Sequence, residues 1–216
     1  MFYSCEMNHA FARRRSKPGE SGVVTRLPLA LRQAAPDELG VILDLLSESV
    51  RWLQDKDTDQ WATPWPDETG RNQRIARDLA DGKTWLVLND REVAGTITLD
   101  PADDGVWPAH TRHEKAVYVR KVIVRRSYAG LGALLFDWAA DVAARVHGAR
   151  WIRIDVWTTN RRLHAYYQRL GFQFRDLAED PDYPSRALFE RSTSRLRRDY
   201  QAVFRPIEPL ASYPSH

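Results

Sequence analysis

Cysteine is almost absent from this sequence, which has one, Cys5, among 216 residues. A single thiol excludes a disulfide within one chain, and it excludes a Cys-X-X-Cys redox or zinc site. Because disulfides mark oxidising compartments, their absence favours a cytoplasmic location. The sequence also lacks a run of about 20 apolar residues, the length that a membrane-spanning helix needs. We therefore expect no membrane partner.

The positive charge of the chain is confined to its first residues. The formal net charge is +3 and the pI is about 9.1, values that suggest a nucleic-acid partner. Residues 1–26 hold five cationic and two acidic side chains, so the rest of the chain is neutral overall. We therefore do not expect nucleic-acid binding by the folded body. Binding through the basic segment stays an alternative hypothesis.

The composition fits one folded domain with an appendage. Hydrophobic residues make up 43% and charged residues 28% of the chain, and a chain of this length forms one core. The first segment has neither an apolar signal region nor the periodicity of an amphipathic targeting helix. We predict a disordered basic tail over residues 1–26 and a folded domain over residues 27–216.

The first half of the domain has alternating strand and helix patterns. Pro36 is typical of a first helical turn, and the apolar residues after it recur at helical spacing. Asn89, Asp90 and Arg91 separate two apolar strands and predict a hairpin. The predicted elements are a strand over Leu27–Gln33, a helix from Pro36 to about Leu53, a helix over Gly70–Ala80, and strands over Thr84–Leu88 and Glu92–Leu99.

The second half has the pattern strand, helix, strand, helix and strands, which indicates a mixed α/β fold. In its longer helix, Asp137 and Asp141 are expected on the polar face, opposite an apolar face that ends at Val146. In the strand that follows, Arg153 is the expected partner of Asp155. The predicted elements are a strand over Val117–Arg125, a helix over Gly130–His147, a strand over Trp151–Trp157, a helix from the Asn160 cap to Gly171, and strands over Phe172–Arg175 and Arg186–Glu190.

A glycine turn, Gly130-Leu131-Gly132, joins the strongest predicted strand to the longer helix. Unpaired N–H groups at a helix start make such a turn a phosphate site, although a tight turn with positive φ explains the same glycines. A dinucleotide fingerprint needs a third glycine where Leu135 stands, but Asp155 fits its acidic position, so this alternative stays open. A P-loop at Gly82-Lys83-Thr84 is excluded, because that segment precedes a strand.

One spacing is specific: Asn160 is followed by Tyr167 after seven residues, and then by Gly171 and Phe172. With the glycine turn and its flanking strand and helix, this segment resembles the GNAT superfamily of acyl-CoA N-acyltransferases. The resemblance is strongest over residues 117–175, and the element order extends it to about 27–190. It implies an α/β (α+β) fold with a mixed, mostly antiparallel central sheet, flanking helices and a splayed strand pair for acyl-CoA.

The turn departs from the family pattern, Gln/Arg-x-x-Gly-x-Gly/Ala. Alignment on the end of the strand puts Ala129 at the Gln/Arg position, Gly132 at the first glycine and Leu134 at the last small residue. In the alternative alignment, Gly130 and Gly132 form the glycine pair, and the turn is two residues shorter. Both alignments predict an atypical phosphate loop.

The resemblance implies acetyl-CoA as the co-substrate, and it implies which residues hold it. The pantetheine arm would lie along one strand as an added strand does, and Asn160 would contact that arm, cap its helix, or do both. The implied cofactor-binding residues are Val122, Ile123 and Val124 on the strand, Ala129, Gly130, Leu131, Gly132 and Ala133 in the turn, and Asn160.

The resemblance also implies a mechanism in which an amine attacks the thioester directly. A backbone N–H near Ile123 would hold the developing oxyanion, and Tyr167 would be the general acid that protonates the thiolate. Many relatives have a carboxylate near Lys121, which is basic here, so the base is undetermined. Asp155 is the leading candidate, the others are Asp100, His113 and Glu114, and deprotonation of the amine through a chain of water molecules is a further alternative.

The acceptor is expected to be a primary amine of a small molecule or a peptide, and the protein a monomer or a homodimer. Trp61, Trp65 and Trp107 lie in loops that would border the acceptor site. His110 and His113 have no third ligand at a motif spacing, so we expect no metal. Because fold does not fix activity, a non-catalytic module that binds or senses acyl-CoA is the alternative function.

Overall fold

The structure is a computed structural model that describes residues 28–205, apart from residues 57, 104, 112 and 195–197. The predicted tail over residues 1–26, with Cys5, lies outside the described residues.

One sheet of seven strands runs through the described part of the chain, in the order β1-β2-β3-β4-β5-β7-β6. All neighbouring strands are antiparallel except β4 and β5, which are parallel. The predicted mixed, mostly antiparallel sheet is therefore confirmed. The strands are β1 (Ala30–Gln33), β2 (Thr84–Asn89), β3 (Glu92–Asp100), β4 (Ala116–Val124), β5 (Trp151–Val156), β6 (Gln173–Leu177) and β7 (Ala187–Ser192).

Four α-helices accompany the sheet in this part of the chain. Pro36 opens a 3-10 turn, Pro36–Glu38, which leads directly into the first helix. The second helix starts two residues before the predicted Gly70, because the Asp67 side chain accepts a hydrogen bond from the Gly70 N–H at 2.7 Å and caps the helix. The helices are α1 (Leu39–Gln54), α2 (Glu68–Ala80), α3 (Leu131–His147) and α4 (Arg161–Arg169).

The helices cover the two faces of the sheet with separate apolar clusters. Leu135 and Trp138 of α3 pack with Val117 of β4 and Ile152 of β5 on one face. On the other face the side chains of α1, α2 and β2 form a smaller cluster. This cluster contains Ala34, Ile42, Ile75, Leu79 and Leu86. The burial of these apolar residues is the main stabilising contribution to the fold. None of the described helices has the length and apolarity that a membrane span requires.

The prediction that α3 has a polar face at Asp137 and Asp141 is wrong, because both side chains are buried. Asp137 forms an ion pair of 2.9 Å with Arg191 of β7. Asp141 accepts a hydrogen bond of 2.5 Å from the Tyr200 hydroxyl. Val146, which was expected on the buried face, is 42% exposed. The partners that cover this side of α3 follow it by about fifty residues in the chain, so the helical period does not reveal them.

The predicted pairing of Arg153 with Asp155 is also wrong. Arg153 is fully buried, and its guanidinium bonds Glu114 at 2.5 Å and Glu190 at 3.3 Å. The same guanidinium lies 4.6 Å from the centre of the Trp107 ring. A buried charge needs such partners, and here a loop and a neighbouring strand supply them.

Candidate active site

The parallel strands β4 and β5 separate along their length. They pair only over Ala116–Tyr118 and Trp151–Arg153, although β4 continues to Val124 and β5 to Val156. Beyond Tyr118, the edge of β4 that faces β5 has no strand partner in the described part of the chain. The sheet therefore opens into a cleft between the carboxyl ends of the two strands, with unpaired backbone groups along one side.

A β-bulge distorts β4 beside this cleft. Thr96 of β3 pairs with Ile123 and Thr98 pairs with Arg120, so two residues of β4, Lys121 and Val122, lie opposite a single residue of β3. Lys121 has a φ of 49°, a conformation that is rare for a residue other than glycine. Its ammonium group bonds the Asp78 carboxylate of α2 at 2.9 Å. The bulge re-aims the backbone of β4 where the cleft opens.

A 3-10 turn, Arg126–Tyr128, follows β4, and the glycine turn then leads into α3. Gly130 has a φ of 97° and is the N-cap residue of α3, so the strained position of the turn is a glycine. The N–H groups of the first helical turn point away from the helix body and attract an anion. A Cβ atom on Gly132 would lie 3.4 Å from the Tyr166 hydroxyl oxygen, which therefore borders the turn.

Arg125 and Arg126 flank the turn, but their side chains bond elsewhere. The Arg125 guanidinium bonds the Glu48 carboxylate of α1 at 2.5 Å, and it also bonds the Val93 carbonyl at 2.8 Å. The Arg126 guanidinium lies 4.1 Å from the centre of the Trp52 ring. Both guanidinium groups thus have partners away from the turn, whereas the Tyr166 hydroxyl borders it.

Tyr167 of α4 lies in an aromatic cluster that lines the cleft. Its ring is 5.5 Å from that of Phe136, 5.4 Å from that of Tyr166 and 5.7 Å from that of Phe172. Its hydroxyl has no hydrogen-bond partner among the residues described here. Burial, the neighbouring Tyr166 and the charge of Asp155 together raise the pKa of Tyr167 well above its ordinary value. The phenol therefore stays protonated at neutral pH.

Asn160 uses its side-chain amide within the protein. The oxygen accepts a hydrogen bond from the Leu163 N–H at 3.0 Å and caps α4, as the sequence predicted. The nitrogen donates to the Gln60 side chain at 2.7 Å. The adjacent Asp59 accepts hydrogen bonds from Trp157 and Thr159 at 2.8 and 2.6 Å. These bonds attach the loop between α1 and α2 to the connection between β5 and α4.

Asp155 of β5 accepts a hydrogen bond from the Tyr183 hydroxyl and lines the same cavity as Tyr167. The other candidate bases have different contacts. Asp100 accepts a hydrogen bond from the Ala102 N–H at 3.0 Å and bonds Lys83 at 3.2 Å. Glu114 pairs with Arg153, as described above. Asp155 is thus the candidate whose charge acts on the phenol of Tyr167 and whose side chain shares its cavity.

A cavity of about 720 Å³ joins these groups. It extends from the cleft, where Ile123, Asp155 and Tyr167 line it, to the side chains of α1 and α2. Of the three tryptophans in the loops expected to border the acceptor site, Trp61 and Trp65 line this cavity, whereas Trp107 is buried against Tyr118 and Arg153. Within the part of the chain that the structure describes, no group of three or more His, Cys, Asp or Glu side chains could hold a metal ion.

The lining also contains residues that were not found from the sequence, among them Arg74 and Asp78 of α2. Asp78 and Lys121 are separated by 43 residues, and the acid resembles any polar residue of an amphipathic helix. The only feature of the sequence that could have indicated a role for these residues was the large number of charged side chains on α2, a short helix that also has an apolar face. Their place in the site follows from the packing of α2 against the opened sheet.

A cleft between splayed parallel strands, a glycine turn at the start of α3 and an enclosed phenol are the features of one class: an acyl-CoA-dependent N-acetyltransferase. The family model described as the acetyltransferase (GNAT) family matches residues 47–172. The chain belongs to that family, and the resemblance predicted from Asn160 to Phe172 is confirmed.

Individual relatives agree with this assignment. The chain is 29% identical over 139 residues to the uncharacterized N-acetyltransferase YesJ of Bacillus subtilis strain 168, a match that covers 62% of this chain and 75% of that protein. A GNAT acetyltransferase from Listeria monocytogenes has a similar structure, with a TM-score of 0.58, 23% identity, and coverage of 76% of this chain and 94% of that one.

A further neighbour is the PaiA N-acetyltransferase of Thermoplasma acidophilum, solved in complex with coenzyme A. It has a TM-score of 0.58, 15% identity, and coverage of 77% of this chain and 99% of that chain. At these identities the two structures establish the shared fold.

Proposed function

We propose that this protein moves the acetyl group of acetyl-CoA to a primary amine by direct attack. The observation that carries the proposal is the meeting of three features in one cavity: the unpaired edge of β4, the protonated phenol of Tyr167 and the carboxylate of Asp155. Together with the glycine turn at the start of α3, these features offer sites for the phosphates, the pantetheine arm and the thioester of an acyl-CoA.

The residues present fit acetyl-CoA as a substrate. The edge of β4 at Val122, Ile123 and Val124 offers backbone groups to the two amides of the pantetheine arm. The pyrophosphate would meet the turn formed by Ala129, Gly130, Leu131, Gly132 and Ala133. The N–H groups of Ala129 and Ala133 already donate to the Arg126 and Gly130 carbonyls, so Gly130, Leu131 and Gly132 would supply the donors. Asn160 would act indirectly, since its amide fixes the start of α4 beside the arm. The Thermoplasma neighbour, which has the same fold, was solved in complex with coenzyme A, and this supports the choice of an acyl-CoA as the co-substrate.

The chemistry then needs two proton transfers. The amine nitrogen attacks the thioester carbonyl carbon, and a backbone N–H near Ile123 stabilises the oxyanion. Asp155 accepts the proton that the amine loses. As the carbon–sulfur bond breaks, the Tyr167 hydroxyl donates its proton to the leaving thiolate. The products are the N-acetyl amine and free coenzyme A, and positioning of the reactants supplies much of the rate.

Two measurements test the proposal. Calorimetry with acetyl-CoA should give a dissociation constant in the micromolar to millimolar range, which is ordinary for such substrates. Thiol release with a panel of amines should identify at least one acceptor. Absence of heat at high acetyl-CoA concentration would contradict substrate binding. Binding without thiol release for any amine would favour the non-catalytic module instead.

A further inference from the structure

The cavity has an excess of positive side chains on its α2 side. Its lining includes six cationic residues, Arg71, Arg74, Arg77, Lys83, Arg120 and Lys121, and four acidic residues, Asp78, Asp100, Asp103 and Asp155. Net charge of this sign repels the ammonium form of a simple amine or polyamine. The excess therefore indicates an acceptor that carries a negative group of its own.

Two of the acidic residues are already paired with cations of the lining. Asp78 bonds Lys121 at 2.9 Å, and Asp100 bonds both Lys83 at 3.2 Å and Arg120 at 3.6 Å. These pairs hold α2 and β3 against β4. On α2 itself, Arg71 pairs with Glu68 outside the lining at 3.3 Å, so Arg74 and Arg77 are the α2 arginines for which the described residues show no ion pair.

Arg74 is the arginine placed to meet a ligand. Its guanidinium lies 4.7 Å from the centre of the Trp65 ring, and one of its N–H groups donates to the Trp65 carbonyl. No carboxylate among the described residues pairs with it. A guanidinium has five N–H donors in a fixed fork, so several stay available. Stacking on an indole fixes the plane of the fork, which favours two-pronged binding of a carboxylate.

The wall of the cavity connects this cation to the reaction centre. The Trp65 ring lies 4.8 Å from that of Tyr183, and the Tyr183 hydroxyl donates to the Asp155 carboxylate. Arg74 and Asp155 thus stand at the two ends of a short aromatic wall, with opposite charges. A ligand with an amine at one end and an acid at the other would match both ends.

We infer that the acceptor is an amino carboxylate, whose carboxylate binds Arg74 while its amine lies at Asp155. This inference rests on the proposed acetyl transfer and specifies its substrate class. Transfer itself follows the balanced steps given above, and the carboxylate of the acceptor takes no part in them. Arg74 binds substrate, and Trp65 is a positioning residue that holds its guanidinium.

The test compares acceptors that differ only in charge. Thiol release from acetyl-CoA is measured with ω-amino carboxylates from glycine to ε-aminocaproate, with the ω-amino amides of equal length, and with the matching diaminoalkanes. We expect at least one carboxylate to exceed its amide about tenfold or more in kcat/KM, as a charge-assisted pair allows. Arg74→Gln should remove this preference, while kcat/KM for the amides should stay within about threefold of the wild-type value.

Controls separate binding from folding. Arg91→Gln changes an arginine of the β2–β3 hairpin that does not line the cavity, and it should keep the preference. Arg74→Lys retains the charge without the fork and should restore part of the preference. Circular dichroism of each variant verifies that the fold is intact.

A separate binding experiment distinguishes failure of the proposed acetyl transfer from failure of the inferred acceptor class. Thermal melts with coenzyme A present should show stabilisation by the preferred carboxylate and not by its amide, and Arg74→Gln should abolish that shift. If no amine is acetylated but this pattern holds, the proposed activity fails and the inferred ligand class stands. If amides or diamines are used or bound as well as the carboxylates, or if Arg74→Gln keeps the preference, the inference is overturned.

Discussion

Gly95 of β3 lies so close to β4 that a Cβ atom on it would be 2.5 Å from the Ile123 carbonyl oxygen. No real Cβ contact is that short, and the atom it would meet is backbone. The absence of a side chain at Gly95 therefore allows β3 to hold β4 in position just beyond its bulge, where the cleft opens.

The first prediction follows from this contact. Gly95→Ala should displace β4, lower the free energy of unfolding by about 2 kcal/mol and weaken acetyl-CoA binding about tenfold. Denaturant unfolding and calorimetry measure the two effects. Gly40→Ala is the matched control, because nothing lies within 4 Å of a Cβ atom there, and it should stabilise α1 by about 0.5 kcal/mol. Equal behaviour of the two variants would contradict the role given to Gly95.

A second prediction concerns the loop that carries Trp61 and Trp65. Asp59→Ala removes the acceptor of the hydrogen bonds from Trp157 and Thr159, so the loop loses its attachment to the end of β5. We expect the KM for the acceptor amine to rise about threefold to tenfold, while acetyl-CoA affinity stays within about twofold.

Steady-state kinetics with each substrate varied in turn check this result. Asp55→Ala is the control, since no described residue bonds the Asp55 side chain, and it should leave both constants unchanged. A rise in the acetyl-CoA dissociation constant alone would show that Asp59 acts on the cofactor side instead.

A third prediction is a pH dependence of stability at the start of α1. Hydrogen bonds from Arg32, aided by the Ala35 N–H, lower the pKa of Glu38 to about 2. In the unfolded chain the pKa is about 4.3. A carboxyl with a lowered folded pKa stabilises the fold above its unfolded pKa, and this contribution is lost as the pH falls towards the folded pKa.

Glu38→Gln should therefore lower the free energy of unfolding by about 1 kcal/mol at neutral pH. The effect is modest because Glu38 and Arg32 both retain contact with solvent. The difference in free energy of unfolding between the variant and the wild type should become smaller as the pH falls from about 5 to about 3. Denaturant unfolding over this range measures it. A gap that is constant or widens with acid would refute the pairing as the cause.

A fourth prediction concerns how the turnover number depends on pH in alkaline solution. Because burial raises the pKa of Tyr167 above its ordinary value, the phenol keeps its proton beyond about pH 10, where a solvated tyrosine ionises. The turnover number should show no loss below about pH 10. A descending limb near pH 8, absent in Tyr167→Phe, would show that the phenol ionises earlier and that its surroundings differ from those described.

The sequence predicted the parts of the site that depend on local signals. Asn160 caps α4, Gly130 takes the positive φ before α3, and Tyr167 lies on the face of α4 that meets the cleft. Each of these roles depends on a residue and its neighbours within one turn. The family resemblance added the splayed strands, which no local pattern reveals.

The remainder depends on contacts between distant segments. The bulge at Lys121 and its ion pair with Asp78 lie within what the sequence predicted as an uninterrupted strand. Arg153 alternates with apolar neighbours as an exposed residue would, yet two acids from other elements bury it. A charged residue on a strand is exposed only if no oppositely charged side chain is buried with it. Such partners come from distant segments, so the local sequence does not reveal them.

The most direct test of the account is the comparison of Tyr167→Phe with wild type in two assays. The account predicts that turnover, measured as thiol release, falls about a hundredfold or more, as loss of a general acid does, while the acetyl-CoA dissociation constant from calorimetry stays within about twofold. Tyr166→Phe, on the same helix, removes a hydroxyl that borders the glycine turn, so it can weaken acetyl-CoA binding but should keep the wild-type turnover at saturating acetyl-CoA. Wild-type turnover in Tyr167→Phe would contradict the assignment of the acid and, with it, the mechanism proposed for the cleft.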